Sequence, residues 1–221
     1  TTRTGMITPI RDIARLAHDK GALVAIDGAH APGMIPLDIH ESGADFYGGN
    51  CHKWLCSPKG VGFLYSNPSV QSQLHHLIVG WGYDKKGVRR ESDRPEINGG
   101  PFMWGIESLG TVDLAAQSTV GDAVRFQTDI GIDQIAARGR ELSGYLRSRV
   151  DQLPWARVVS PLSQEMFGSI TTCFFEGLGG IELAKTLREQ HRITVPVFEE
   201  GKNCMIRVST HLYNTHAEID T

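Results

Sequence analysis

Cysteine pairs, an excess of one charge sign and long apolar runs are all missing from this sequence. Its 221 residues include four cysteines, Cys51, Cys56, Cys173 and Cys204, with no CxxC spacing among them. Cys51, His52 and Cys56 lack a partner CxxC or HxxxH, so no metal site is expected. Nothing at the N-terminus reads as a signal or transit segment, and a reducing cytoplasm is the expected setting. The 22 Lys and Arg against 25 Asp and Glu leave a net charge of -3, with no general attraction for nucleic acid or anionic lipid. No apolar run approaches membrane-spanning length. No internal repeat or low-complexity segment is present.

With 40% hydrophobic and 21% charged residues, the chain is long enough to bury a core as one large domain or two smaller ones. It opens on Thr1, and its last stretch, NTHAEID, begins a helix with Asn214 or Thr215 as cap and only about a turn and a half of length. Both ends read as cuts in a longer protein.

The segment IRDIARLAHDKG places Ile10, Ile13, Ala14, Ala17 and His18 on one helical face and stops at Gly21. The apolar run ALVAI follows at once, and ADFYGGN and GVGFLY are two further strands. Short apolar strands after helices predict a parallel sheet covered on both faces. Residues 80–100, rich in glycine and with nearly balanced charge, read as a long solvated loop or lid. His75 and His76 before it have no spaced partner and are surface or interface residues. Two helical stretches, 103–127 and 132–153, follow. The strands ARVVS, SITTCFFE, ITVPVF and CMIRVS then surround the helix GGIELAKTLREQH. The fold class is α/β, with residues 1–114 in one domain and linking helices plus a smaller α/β domain in 115–221.

The chemistry centres on Lys53. Its neighbours Asn50, Cys51, His52, Trp54 and Leu55 do not flank an ordinary surface lysine. An ammonium withdrawn from water loses hydration, which favours the neutral amine that attacks a carbonyl. Lys53 follows the strand ADFYGGN, and Asp27 ends the strand ALVAI, so both reach the carboxyl edge of the sheet, where ligands bind. A pyridine aldehyde needs such a lysine, a carboxylate beside its ring nitrogen and polar groups around its phosphate. Asp27, His30, Asn50 and His52 supply those groups. Taken singly, Asp27 also reads as a turn cap and His30 as a structural histidine. Trp54, Trp81 and Trp104 read as packing residues.

VAIDGAHAPG, then YGGNCHKWLCSPKGVGFLY, then MIRVSTHLYNT resemble the class V aminotransferase family of pyridoxal-phosphate enzymes, in its isopenicillin-N-epimerase-like and selenocysteine-lyase-like branch. The resemblance spans nearly the whole chain. It implies a fold type I enzyme, with a large cofactor domain and a small C-terminal domain, working as a homodimer with sites at the subunit interface. It assigns Lys53 as the Schiff-base lysine, Asp27 as the partner of the pyridine nitrogen, and Asn50 and His52 to the phosphate side. His30 falls where many members carry glutamine beside the ring oxygen. Arg207 matches the arginine that holds the α-carboxylate of an amino-acid substrate with its bidentate fork.

Two departures accompany the resemblance. Gly100 in GGPFMWGI stands where many members place a threonine that reaches the phosphate across the dimer, and nothing here corresponds to the family's N-terminal half. The expected activity is that of an aminotransferase, epimerase or lyase acting through the α-carbanion of an amino acid or amine. One alternative is a catalytically inactive remnant or interaction domain. Another is a cysteine desulfurase, disfavoured because the candidate nucleophile, Cys204, lies on the strand of Arg207 rather than on a mobile loop. A nucleotide-binding domain lacks its glycine-rich loop.

Overall fold

The computed structural model describes residues 3–75, 77–78, 106–107 and 110–221. Helix α1 (Ile10–His18) leads through a left-handed Gly21 to β1 (Ala25–Asp27). Helix α2 (Ile39–Ser42), capped by the Asp38 side chain on the Glu41 N–H, precedes β2 (Phe46–Asn50) and β3 (Gly62–Ser66). β1 pairs with β2 in parallel, as expected, bringing Asp27 opposite Gly48.

β3 departs from the expected parallel sheet. It runs antiparallel to β2, Asn50 opposite Gly62. A parallel return needs a crossover of about a dozen residues or more, and the 51–61 connection is a tight loop instead. Nor is the sheet covered on both faces among the described residues. Ala25 and Asp27 of β1 and Gly62, Phe63 and Leu64 of β3 are exposed. The expected apolar face of α1 is also thinly covered: Ala14 is buried, while Ile13 is 41% exposed.

The sheet's inner layer is held by polar groups as well as packing. Asp45 is buried and accepts from the Val24 N–H at 2.7 Å and from the His18 ring at 2.8 Å. Burial pushes its carboxyl up, but these hydrogen bonds and the His18 charge outweigh that and hold it below the usual carboxylate range.

Helices α3 (Leu114–Ser118), α4 (Val120–Ile130) and α5 (Ile132–Val150) link the two sheets. Thr119 divides the first pair and Gly131, at φ +95°, the second. In α5 the residues Ile135, Ala136, Gly139, Leu142, Ser143, Arg147 and Val150 are buried at three- and four-residue spacing. Arg147 crosses the Phe167 ring at 3.7 Å and donates to Thr171 Oγ1 and the Pro161 carbonyl.

The second sheet has the order β4 (Ala156–Val158), β5 (Ile170–Phe175), β7 (Asn203–Ser209), β6 (Val197–Glu200), all antiparallel. Helix α6 (Gly180–His191) lies against β6 and β7. The expected C-terminal helix is α7 (His216–Asp220), where Thr215 and Glu218 form a reciprocal capping box. The segment 4–7 runs back to the second sheet, with Met6 bridging Phe167 and Ile7 N–H donating to Met166. Met34, Trp54 and Ile170 form a shared core between the two sheets. The 80–100 loop, His76, Trp81, Gly100 and Trp104 lie outside the described residues.

Candidate active site

Two turns meet at the carboxyl end of the parallel pair. The first, DGAHAPG, leaves β1 with the Asp27 Oδ1 accepting from the Ala29 N–H at 3.1 Å, so the carboxylate shapes its own turn. Glycine is required at two places in it. A Cβ on Gly28 would lie 2.0 Å from the Tyr47 ring, and a Cβ on Gly33, at φ +81°, would lie 2.5 Å from the Leu55 backbone nitrogen. That second contact presses the Asp27 turn against the backbone just after Lys53.

The second turn leaves β2 at Asn50. The Cys56 N–H donates to the Lys53 carbonyl at 3.3 Å, and Cys56 takes a left-handed φ of +67° to close it. Lys53 Nζ stands 3.2 Å from His30 Nε2, and the Trp54 indole N–H donates to His30 Nδ1 at 3.2 Å. Burial, followed by the Lys53 and Arg207 charges, lowers the His30 pKa from 6.5 to about 4, against a smaller opposing effect of Asp27.

His52 is anchored differently. Its Nδ1 is 2.9 Å from the Val61 carbonyl, which fixes the proton there and leaves Nε2 open. Asp27 and Asn50 line a groove of about 590 Å³ along the sheet, together with Phe46, Gly48, Phe63 and Leu64. Among the described residues the Asp27 carboxylate is engaged only through Oδ1. Arg207 sits on β7 opposite Thr172, with its backbone N–H given to Pro196 and its side-chain Nε buried without a partner among the described residues.

The structure thus joins Lys53 to His30 directly and brings the Arg207 charge within reach of the same imidazole. Asn50 and His52 flank the lysine turn without a hydrogen bond to it. Trp54, expected only to pack, is 6% exposed in the core and also bonded to the site histidine. Its adjacency to Lys53 was the sole signal available in the sequence. Gln127 of α4 and His211 were not anticipated. Gln127 Nε2 donates to the Trp54 carbonyl at 2.9 Å, and the His211 ring stacks on the indole at 5.3 Å and 13°. No cluster of three or more metal-binding side chains occurs among the described residues. None of their helices is long and apolar enough to cross a membrane.

The chain has relatives among known proteins and solved structures. The chain is 33% identical over 219 residues to isopenicillin N epimerase of Streptomyces clavuligerus, covering 98% of this chain and 55% of that protein. It is 28% identical over 224 residues to a probable cysteine desulfurase of Halobacterium salinarum, covering 98% and 52%. The chain therefore spans about half the length of these relatives. Among solved structures, the apo cysteine desulfurase of Thermococcus onnurineus NA1 superposes with a TM-score of 0.82 at 21% identity, over 98% of this chain and 54% of that one. A C-DES mutant with glycine covalently linked to its PLP cofactor gives 0.81 at 22% identity, over 98% and 55%. The α/β fold is fold type I over the part these chains share. The family model for class-V aminotransferases matches residues 1–221, so the chain belongs to the aminotransferase class-V family.

Proposed function

We propose that the protein is a pyridoxal-phosphate-dependent enzyme acting on an amino acid or related amine. The carrying observation is the approach of Lys53 Nζ to His30 Nε2 at 3.2 Å, across two turns that Gly33 holds in backbone contact. The donor set fits the cofactor. A half-buried amine and a carboxylate with one oxygen uncommitted lie at the carboxyl end of the first sheet, and the charge of Arg207, on the second sheet and with its Nε unpartnered among the described residues, reaches the same His30.

When bound, the pyridine aldehyde supplies an electron sink for charge developing at the substrate's α-carbon. Lys53 would be the point of covalent attachment and, once the substrate's amine has displaced it, the base that moves the α-proton. Asp27 would keep a proton on the ring nitrogen. Asn50 and His52 would hold the phosphate, His52 through Nε2, which donates only when that nitrogen carries a proton. Arg207 would take the substrate's α-carboxylate, giving its orphaned Nε an acceptor.

Movement of the α-proton is common to aminotransferase, epimerase and lyase chemistry, and the proposal extends to that class. Desulfurase activity is less well supported. Cys204 is fully buried on β7 with its thiol pushed up by burial, and burial pushes the Cys173 thiol up to about 12. The proposal includes a homodimer, a division into residues 1–114 and 115–221, and a cytoplasmic setting, which the four free cysteines favour. Titrating the full-length protein with pyridoxal phosphate tests the reading. A visible absorbance band is expected that Lys53→Ala lacks; an equal band in the variant contradicts it.

A further inference from the structure

We propose that His211 is a positioning residue for the Lys53 site: its ring, stacked on Trp54, ties the strand that carries Arg207 to the turn that carries Lys53. What the tie does for a substrate rests on the function proposed above, but the tie itself does not.

His211 lies four residues past Arg207, just beyond the end of β7, and Trp54 adjoins Lys53 in the chain. Their rings are nearly parallel, 5.3 Å between centroids at 13°, and Tyr213 stacks on the same imidazole at 4.6 Å and 12°. Hydrogen bonds fix the imidazole in its own plane. The Leu212 N–H donates to Nδ1 at 2.9 Å, and a backbone N–H can only donate, so Nδ1 carries no proton. The single ring proton is then on Nε2, which lies 3.6 Å from Cys56 Sγ, a weak acceptor at the far end of the Lys53 turn.

Each side of the contact is anchored separately. Thr210 gives both its N–H and its Oγ1 to the Ser169 carbonyl. The His211 N–H donates to Asn214 Oδ1, and the Asn214 carbonyl accepts from Arg138 of α5. On the other side, Trp54 is buried with Met34 and Ile170, its carbonyl bonded by Gln127. These bonds settle the path of the backbone without the imidazole. They do not account for its lying flat on the indole next to Lys53. The stack joins the exit of the Arg207 strand to the Lys53 turn, and so limits how far guanidinium and amine can shift apart.

Deuterium uptake by the full-length protein without cofactor tests the tie. The Cys56 and Ser57 N–H groups are bonded within the 51–57 turn, so loosening that turn exposes them. His211→Ala should raise uptake at 51–57 while β1 and β2 keep native protection, and His211→Phe, which keeps the stack, should restore it. Should His211→Ala fail to fold, Tyr213→Ala, at a ring in a residue 71% exposed, takes one member off the stack and is expected to raise the same uptake by less. Uptake unchanged at 51–57, or raised equally across both sheets, overturns the proposal. In protein loaded with pyridoxal phosphate, titration with glycine and with methylamine, followed by absorbance, separates positioning from packing. His211→Ala should raise the half-saturating glycine concentration about two- to tenfold, the equivalent of one aromatic pair, and leave that of methylamine unchanged. An effect on glycine no greater than on methylamine overturns the positioning role. Failure of the parent to bind pyridoxal phosphate would instead overturn the proposed function and leave the uptake result standing.

Discussion

Replacing Gly33 with alanine tests the contact that holds the Asp27 and Lys53 turns together. Two separate costs arise. The left-handed backbone at φ +81° disfavours any Cβ, by about 1–2 kcal/mol for a non-glycine residue. The new Cβ would also stand 2.5 Å from Leu55 N and 2.6 Å from Trp54 C, backbone atoms that cannot swing aside. Overpacking of this kind costs about 1–3 kcal/mol, for a total of about 2–5 kcal/mol. Gly21 provides the control, because it has φ +70° but nothing within 4 Å of its Cβ position. Gly21→Ala should lose only the backbone part, about 1–2 kcal/mol. At about 2–4 °C per kcal/mol for a chain of this size, Tm should fall by about 2–8 °C for Gly21→Ala and about 4–20 °C for Gly33→Ala. Urea denaturation of the two variants beside the parent measures the difference directly. Equal losses in both would show that the turns are not in backbone contact, and the reasoning about the site would fail.

Asp27→Asn retains an oxygen for the Ala29 N–H but removes the charge, so kcat/KM should fall about 10²–10³-fold, as for loss of one preorganised electrostatic contact, while Tm barely moves. Activity within a few fold of the parent would exclude the carboxylate's electronic role. Arg207→Lys loses the bidentate fork and a charge-assisted bond of about 1.5–3 kcal/mol, raising KM for amino acids roughly ten- to a hundredfold; an equal effect on amines without a carboxylate would remove Arg207 from substrate binding. His30 has a folded pKa of about 4 against an ordinary 6.5, so between these values the unfolded chain takes up a proton that the folded one refuses. Its contribution to stability should therefore fall as pH is lowered from about 6.5 to about 4. His30→Gln should flatten that slope in urea midpoints, and an unchanged slope would show that the imidazole is not held neutral.

Much of this was legible in the sequence because it is local. The Gly21 stop of α1, the Thr215 cap of α7, and the placement of Asp27 at the end of β1 and Lys53 just after β2 follow from neighbouring residues. Strand β1 is shorter than the apolar run ALVAI suggests. The Val24 carbonyl accepts from both Asp45 and Phe46, which delays regular pairing until Ala25. The antiparallel β3 depends on how the 51–61 loop closes, which hydrophobic pattern does not encode. The Trp54 to His30 bond spans 24 residues and requires both turns to be folded first. Gln127 and His211 reach the tryptophan from further still, so no spacing rule could have joined them to the site. That Arg207 Nε has no partner among the described residues is likewise a tertiary fact, since strand position alone says nothing about what a guanidinium meets.

The central claim, that Lys53 is the lysine joined to the cofactor, is tested most directly by loading the full-length protein with pyridoxal phosphate, reducing it with borohydride and mapping the labelled peptide by mass spectrometry. The label is expected on Lys53 alone, within the stretch GGNCHKWLCSPKG, and absent from that peptide in Lys53→Ala. A specific, stoichiometric label on any other lysine, or an undiminished one in Lys53→Ala, would contradict the account.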